Sequence, residues 1–305
     1  MSEPIKSVTV FAPAKINLTL HVTGQRADGY HLLDSLVVFA SVGDRISVQE
    51  GTSLSITAEG PEAAAVPSDM NNLVLKIATL FPDMPGASFL LTKNLPVASG
   101  IGGGSADAAA AFRGLMAHRS GGVVDAEIYD PQHTPFAEKL LKLGADIPVC
   151  LRSVPTRMRG VGEILEPVPN LPQLFAVLVN PRVHVSTPEV FAALEAKENA
   201  QMPPQIPTFS SAQDFILWLS TQRNDLQDPA RRLVPEIDAV IAELDACPEC
   251  LLSRMSGSGA TCFGLFTSLS DAERASSDIS KRYPNWWVKP VKLGSMDKAA
   301  LPELN

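Results

Sequence analysis

The stretch Pro96-Val97-Ala98-Ser99-Gly100-Ile101-Gly102-Gly103-Gly104-Ser105-Ala106-Asp107, with Ala108 to Ala111 directly behind it, constrains the fold more than any other part of the chain. Four glycines within five positions free the backbone φ and leave no Cβ to hold a ligand away. The alanines that follow have the highest helix propensity, so the spacing predicts a glycine loop opening into a helix from Ser105 to about Ala117. Unsatisfied N–H groups and the positive end of the helix dipole make such an end an anion site, and a phosphate chain suits both. A flexible linker would not run at once into five alanines within six positions.

Two common phosphate loops do not fit these letters. A G-x-G-x-x-G fingerprint counted from Gly100 needs a further glycine where Ser105 stands, which disfavours a dinucleotide-dependent oxidoreductase. A Walker A loop needs a lysine after the glycines, and none follows. The loop is a phosphate cradle of another class.

With 305 residues the chain can form two domains with separate cores. A net charge of −8 without a basic run argues against a nucleic-acid surface, so an anionic ligand has to be held locally. The longest apolar runs, such as Leu174 to Val179, fall far below the roughly 18 residues of a membrane span, and the expected location is the cytosol. Cys247-Pro-Glu-Cys250 is one CxxC with no second pair or histidines close by, and plain reduced thiols are expected there rather than a metal site.

The first half reads as strands at Ile5 to Phe11, Leu18 to Val22, Ser35 to Val42, Asp44 to Glu50 and Ser53 to Glu59, the last two joined as a hairpin through Gly51-Thr52. Lys15 and Asn17 fall in a loop between the first two, either as site residues or, for the lysine, with its stem packed on the sheet. Gly24 to His31 is a turn-rich loop ending in Tyr30-His31, a pair able to stack on a planar base or simply to pack. A helix is expected from Asn71 to Phe81, a strand from Ala87 to Thr92, and a helix capped by Thr134, with Pro135 at its first position, ending before Gly144. Asp146 then sits between apolar residues at a helix-to-strand junction, either as a functional carboxylate or as a turn or cap.

Strand and turn are expected over Arg157 to Glu166, and the proline-rich Pro167-Val168-Pro169 marks the domain boundary, giving units of 1–168 and 169–305. Beyond it come a strand at Phe175 to Asn180, helices through about Ala196, at Ala212 to Leu219, Pro235 to Asp245 and Asp271 to Arg282, and a strand at Trp286 to Val291. Lys197 to Ser210 is polar and proline-rich, as a mobile loop would be. Ser256 to Thr261 is a second small-residue loop between two strand-like runs, readable by itself as a hairpin turn. The order of elements is α+β in both halves.

Taken together, Pro13-Ala14-Lys15-Ile16-Asn17-Leu18, the loop from Gly24 to His31, the glycine loop, Leu143-Gly144-Ala145-Asp146-Ile147-Pro148, Gly160-Val161-Gly162-Glu163 and Met255 to Thr261 resemble, in identity and order, the motifs of the GHMP small-molecule kinases. They span nearly the whole chain. The departures are small: Ile101 where leucine is frequent, and Asp107, which adds a negative charge near the triphosphate, where asparagine is common.

The resemblance implies a two-domain GHMP kinase fold with its active site in the cleft between domains, ATP and Mg²⁺ as cofactors, and a monomer or homodimer with no nucleic-acid or membrane partner. It implies ATP binding by Pro96, Val97, Ala98, Ser99, Gly100, Ile101, Gly102, Gly103, Gly104, Ser105 and Ala106, with Asn72 beside them. Ser105 would meet phosphate or the Mg²⁺ shell, and no side chain is assigned as a metal ligand. Asp146 is implied as catalytic base with Lys15 its partner, since an aliphatic hydroxyl needs a positioned group to take its proton as the bond to phosphorus forms. The loop from Gly24 to His31 is most similar to that of the branch acting on cytidine diphosphate methylerythritol. Tyr30, His31, Thr187 and Phe191 would then surround cytosine and ribose, Asn17 the methylerythritol hydroxyls, and Ser256 to Thr261 would close on the phosphates. Mevalonate, homoserine or sugar kinases of the same family, and a non-catalytic nucleotide binder, are the alternatives. Lys15 and Asp146 speak against the last.

Overall fold

The computed structural model describes residues 7–122, 129–131 and 134–305. The strand expected from Ile5 is described only from Val8 on, and Ile5 lies outside the described residues.

The first half is a sheet organised on one long strand. β1 (Val8–Asn17) runs antiparallel to β3 (His31–Glu50), and β2 (His21–Gln25) pairs with the start of β3. The loop expected over Ala12 to Asn17 is instead the second half of β1, whose register shifts between Pro13 and Lys15. Pro13 has no N–H to give a ladder, so the strand absorbs it as a bulge and continues. β3 likewise passes without a break through Gly43, where a Cβ would lie 2.2 Å from the Ala12 carbonyl oxygen. β4 (Ser55–Glu59) does not form the expected hairpin with β3: β5 (Ala87–Thr92) lies between them, antiparallel to β3 and parallel to β4. Local turn letters at Gly51-Thr52 could not disclose a strand arriving some 30 residues later.

α1 (Leu73–Ala78) and α2 (Gly103–Arg119) cover this sheet. α2 starts two residues ahead of Ser105, and its small side chains let it lie close: a Cβ on Gly114 would sit 2.7 Å from Val48 Cγ2. Ala106, Ala108 to Ala111 and Phe112 are all buried, so the alanine run serves packing as well as propensity. α3 (Ala137–Leu143) begins later than expected, with Thr134 Oγ1 receiving the Phe136 N–H at 3.4 Å ahead of it. α4 (Ile147–Arg152) replaces the expected strand after Asp146. Six residues, mostly apolar, do not separate helix from strand by period, and Pro148 is tolerated in a first turn.

β6 (Thr156–Gly160) and β7 (Ile164–Pro167) form a hairpin on the start of β3, and the chain crosses at Pro167-Val168-Pro169 to β8 (Leu174–Asn180). The second half adds α5 (Thr187–Ala192), α6 (Ala212–Ser220), α7 (Gln227–Leu233), α8 (Glu236–Asp245), β9 (Leu252–Met255), β10 (Cys262–Phe266), α9 (Leu269–Arg282), β11 (Trp287–Gly294) and β12 (Glu303–Leu304). α5 stops short of the expected Ala196, and α7, which contains Pro229, was not foreseen.

The two halves share one sheet. β11 pairs with β8 and also, through Leu293 and Gly294, with β3, while β12 returns to β1. One core lies under α1, α2 and α4 and a second under α5, α7, α8 and α9. A third, containing Ile16, Leu18, Leu36 and Val38 together with Leu178, Phe215, Phe263 and Trp287, spans the crossing. This shared core fixes residues near the N-terminus against loops of the second half. Among the described residues no helix is long and apolar enough to cross a membrane.

Candidate active site

A cavity of about 1190 Å³ opens between the halves, lined by β1, the glycine loop, the start of α4, the turn before β3, α5 and the Ser256 to Thr261 loop. Lys15 and Asn17, two apart on β1, face the same way by the alternation of a strand and both reach this cavity. Lys15 is 4% exposed; its Nζ lies 2.8 Å from Asp146 Oδ2 and donates to Asn17 Oδ1 at 3.1 Å. Asp146 stands at the N-cap of α4, its side chain about one third exposed (32%) on the cavity wall. Two side chains separated by more than a hundred residues thus form one charged pair in a largely apolar surround.

The supports of this pair are buried. Asn17 Nδ2 donates to Ser35 Oγ at 2.8 Å, and the Asn17 N–H donates to Ser256 Oγ at 3.1 Å. Ser256 Oγ in turn donates to the Gly100 carbonyl at 3.1 Å, the Thr261 N–H to Ser99 O at 3.2 Å, and the Lys15 N–H to Ile101 O at 2.9 Å. β1, the glycine loop and the late loop are therefore bonded to one another. Ser256 and Thr261 are spent on this brace, while Gly257 and Ser258 of the same loop reach the cavity. α4 is held from its far end: Arg113 on α2 donates through Nη2 to Cys150 O, Leu151 O and Ser153 Oγ at 2.7–2.9 Å. Behind Asp146, Gly162 (φ +119) packs so closely that a Cβ would lie 2.8 Å from Ala145 O.

The glycine loop enters α2 through Gly102, its N-cap, at φ 64. Val97 to Gly100 and Gly102 to Ser105 line the cavity; Pro96, Ile101 and Ala106 do not, being buried behind them. Gly100 (φ +73) is required by the fold, because a Cβ would meet Ser256 O at 2.5 Å and Gly259 N at 2.7 Å. Gly104 is not, since a Cβ there meets nothing nearer than Leu73 Cδ1 at 3.8 Å. Asn72 lines the cavity, but its carboxamide caps α1, receiving the Val74 N–H at 2.9 Å and donating to Pro67 O at 2.8 Å.

Beneath the loop lies a cluster the sequence did not disclose. Lys93 Nζ touches Asp44 Oδ2 at 2.5 Å and Asp107 Oδ2 at 2.7 Å, all three buried. Burial weighs against charge on Lys93, and the Asp107 and Asp44 carboxylates outweigh it and hold its pKa above the ordinary lysine value. Burial, with Asp44 adding to it, pushes the Asp107 carboxyl up to about 8 against the pull of Lys93, so its extra negative charge is largely quenched inside this cluster. A lysine 49 residues from its partner leaves no local signal.

At the other end of the cavity His31 and Phe191 stack, centroids 4.8 Å apart and planes 23° off parallel. Tyr30 is 64% exposed and stacks on no described ring. Burial, with Lys197 adding to it, lowers the His31 pKa, and its Nε2 is buried without a partner. Thr187 Oγ1 lies 2.7 Å from Ser258 Oγ, joining α5 to the late loop. Cys247 and Cys250 stand apart from the cavity, their Sγ atoms donating to Glu243 O and Leu252 O, and among the described residues no cluster of three or more acidic, histidine or cysteine side chains offers a metal cage.

Comparison with known proteins gives the same picture. The GHMP kinases N terminal domain matches residues 72–152, and the GHMP kinases C terminal domain matches 211–285. The chain is 53% identical over the full length of both chains to the 4-diphosphocytidyl-2-C-methyl-D-erythritol kinase of Roseobacter denitrificans. It is 47% identical to that of Paramagnetospirillum magneticum, over 94% of this chain and 99% of the other. A crystal structure of 4-(cytidine 5'-diphospho)-2C-methyl-D-erythritol kinase superposes with a TM-score of 0.70 at 30% identity, covering 94% of this chain and 99% of its own. The homoserine kinase of Cytophaga hutchinsonii, at 20% identity and a TM-score of 0.68 over 100% and 99% of the two chains, shares the fold.

Proposed function

The chain belongs to the GHMP kinases, and within them to the 4-diphosphocytidyl-2-C-methyl-D-erythritol kinases; we propose from this premise that its cleft moves the γ-phosphoryl group of ATP to the 2-hydroxyl of 4-diphosphocytidyl-2-C-methyl-D-erythritol. The products are the 2-phosphate and ADP, in the non-mevalonate route to isoprenoid precursors. The observation that carries the reading is the Lys15–Asp146 contact of 2.8 Å, opening onto the glycine loop.

In this reading the acceptor hydroxyl lies against Asp146, whose carboxylate takes its proton as the oxygen attacks phosphorus. The Lys15 ammonium, buried and fixed by Asn17, faces the charge that grows on the transferred group. Asn17 also orients the methylerythritol hydroxyls. Backbone N–H groups at the start of α2 receive the phosphates of ATP, with Val97 to Gly100 and Gly102 to Ser105 as the cradle and Asn72 shaping it through the cap of α1. Pro96, Ile101 and Ala106 act from behind, by holding that loop in place.

Mg²⁺ fits a site of this kind, since it keeps several waters and takes its other ligands largely from substrate phosphates, and the exposed edge of the loop offers the Ser105 hydroxyl beside them. When bound it neutralises charge on the triphosphate. His31, Phe191, Tyr30 and Thr187 receive cytidine, with the stacked rings of His31 and Phe191 offering the aromatic surface for the base. Residues 1–168 thereby carry ATP and the reacting groups, and 169–305 complete the substrate pocket. A cytoplasmic monomer or homodimer acting on a small molecule, without a nucleic-acid partner, completes the reading.

Asp146→Asn tests it. Turnover should fall roughly 10²- to 10⁴-fold, the usual worth of a general base, with much smaller change in substrate KM. The Lys15 ammonium keeps its bond to Asn17, so the variant should fold. Turnover within tenfold of the parent would remove Asp146 from the role of base.

A further inference from the structure

Three side chains with a permanent positive charge line the cleft among the described residues: Lys15, Lys93 and Lys197. Lys15 is held against Asp146, and Lys93 between Asp44 and Asp107. The acceptor substrate brings a diphosphate of its own. Lys197 is paired with no carboxylate among the described residues; its Nζ donates to the neutral Gln25 Oε1 at 3.1 Å. It is half-buried and stands at the His31 end of the cavity, near enough for its charge to act on that ring.

The segment bearing it has neither helix nor strand, yet residues 199–204, directly after the lysine, are bonded to the body of the protein. The Asn199 N–H and Nδ2 both donate to Val22 O at 3.0 and 3.1 Å, and the Met202 N–H donates to Asp34 Oδ2 at 2.9 Å. The buried Arg157, paired with Asp34 through Nε and Nη2 at 2.8 and 2.7 Å, donates onward to Met202 O, Pro203 O and Pro204 O at 2.8–3.2 Å. His21 Nδ1 meets Ala200 O at 3.1 Å. These anchors follow Lys197 directly and hold its backbone at the rim, so only its own side chain has to be ordered when an anion arrives.

We propose that Lys197 is the specificity residue for the substrate's diphosphate, binding it beside the cytidine pocket and separating cytidine diphosphate esters from uncharged cytidine compounds. The proposal rests on the reading above that cytidine sits at His31 and Phe191. Among the described residues the ammonium is the cleft cation free of an internal carboxylate, so an incoming phosphate gains its attraction without first breaking an ion pair. Its role is binding alone, and no proton or phosphoryl group passes through it.

The test is calorimetry on the full chain with its ATP site filled by a non-hydrolysable ATP analogue, titrated with CDP and separately with cytidine. The parent should bind CDP more tightly than cytidine, by a margin that shrinks as salt rises. Lys197→Met should weaken CDP about tenfold, the scale of one charge-assisted hydrogen bond, while cytidine changes less than twofold. Lys197→Arg should restore most of the loss, and in steady-state kinetics Lys197→Met should raise KM for the diphosphocytidyl substrate with kcat and KM for ATP unchanged. CDP binding unaltered by Lys197→Met would overturn the proposal, as would equal weakening of CDP and cytidine, which would place the lysine on the base. Phe191→Ala keeps the two readings apart: if it leaves cytidine binding untouched, the base pocket is wrong, and the diphosphate assignment goes with it.

Discussion

Gly104→Ala should make the protein more stable and a worse kinase at once. Gly104 is the second residue of α2, and the added methyl would find only Leu73 Cδ1 at 3.8 Å, an ordinary contact. Alanine is favoured over glycine by about 0.8–1 kcal/mol inside a helix, somewhat less in its first turn. In a chain of this size that raises Tm by about 1–2 °C. The same methyl would project into the cavity over the N-terminus of the helix, where the phosphates are proposed to approach the backbone N–H groups. Losing one or two hydrogen bonds to a charged group, at about 1.5–3 kcal/mol each, is worth at least tenfold in affinity. Differential scanning fluorimetry without nucleotide and an ADP-release assay over an ATP series read the two effects separately. KM for ATP should rise tenfold or more while apo Tm rises. An unchanged KM for ATP in a stabilised variant would show that the phosphates do not lie over this turn. Gly100→Ala is the control with the opposite sign. There φ is +73 and the methyl would strike backbone atoms of the late loop at 2.5–2.7 Å, so apo Tm should fall together with activity.

Phe191→Ala removes the ring stacked on His31 and should weaken the diphosphocytidyl substrate by about 1–3 kcal/mol, the range of a base-stacking contact, with KM for ATP unchanged in the same assay. His21 is buried with both ring nitrogens engaged, Nδ1 at Ala200 O and Nε2 receiving the Arg223 N–H at 3.4 Å; burial and the Arg223 charge lower its pKa against the Ala200 carbonyl, Asp225 and Asp34, which pull the other way. The unfolded chain therefore binds the proton more readily, and unfolding free energy should fall as pH drops below about 6.5, by up to about 1.4 kcal/mol per pH unit for this one group. Urea titrations at pH 5 and 7.5 check it, and His21→Gln should flatten part of that slope whatever its cost at neutral pH.

What could be read from the letters followed from how local the cause was. The glycine loop and the helix behind it announced themselves because glycine φ freedom and alanine propensity act over a few residues, and the structure starts α2 within two residues of the expected place. The GHMP fold was legible because its motifs carry their order along the chain. Lys15 and Asn17 were singled out, but a proline hid the strand that aims them. Asp146 was singled out too, and Pro148 hid the helix that it begins. The hairpin at Gly51-Thr52 failed because pairing with β5 is decided by a partner far along the chain. Lys93 with Asp44 and Asp107, Arg157 with Asp34, and Arg113 with the carbonyls at the end of α4 were invisible for the same reason: each joins a side chain to a partner whose separation in sequence is set by topology alone.

The late loop shows why a site spread over both halves still behaves as one object. Ser256 accepts from the Asn17 backbone and donates to Gly100 O, so a single hydroxyl spans the strand that bears Lys15 and the glycine loop. Glycines on both sides make the contact possible, since a Cβ on Gly257 would lie 2.7 Å from Gly100 O and one on Gly100 would strike Ser256 O. Close backbone approach of this kind permits few alternative arrangements, and a packed interface without slack transmits displacement rather than absorbing it. The small-residue stretch from Ser256 to Thr261 is thus constrained by the geometry of acceptor and donor together. Its neighbour Ser258 extends the brace to Thr187 at 2.7 Å and so to α5, which bears Phe191. The glycine loop, the late loop and α5 are therefore joined through three hydroxyls, those of Ser256, Ser258 and Thr187. That continuity ties the glycine loop at one end of the cleft to the stacked His31 and Phe191 at the other.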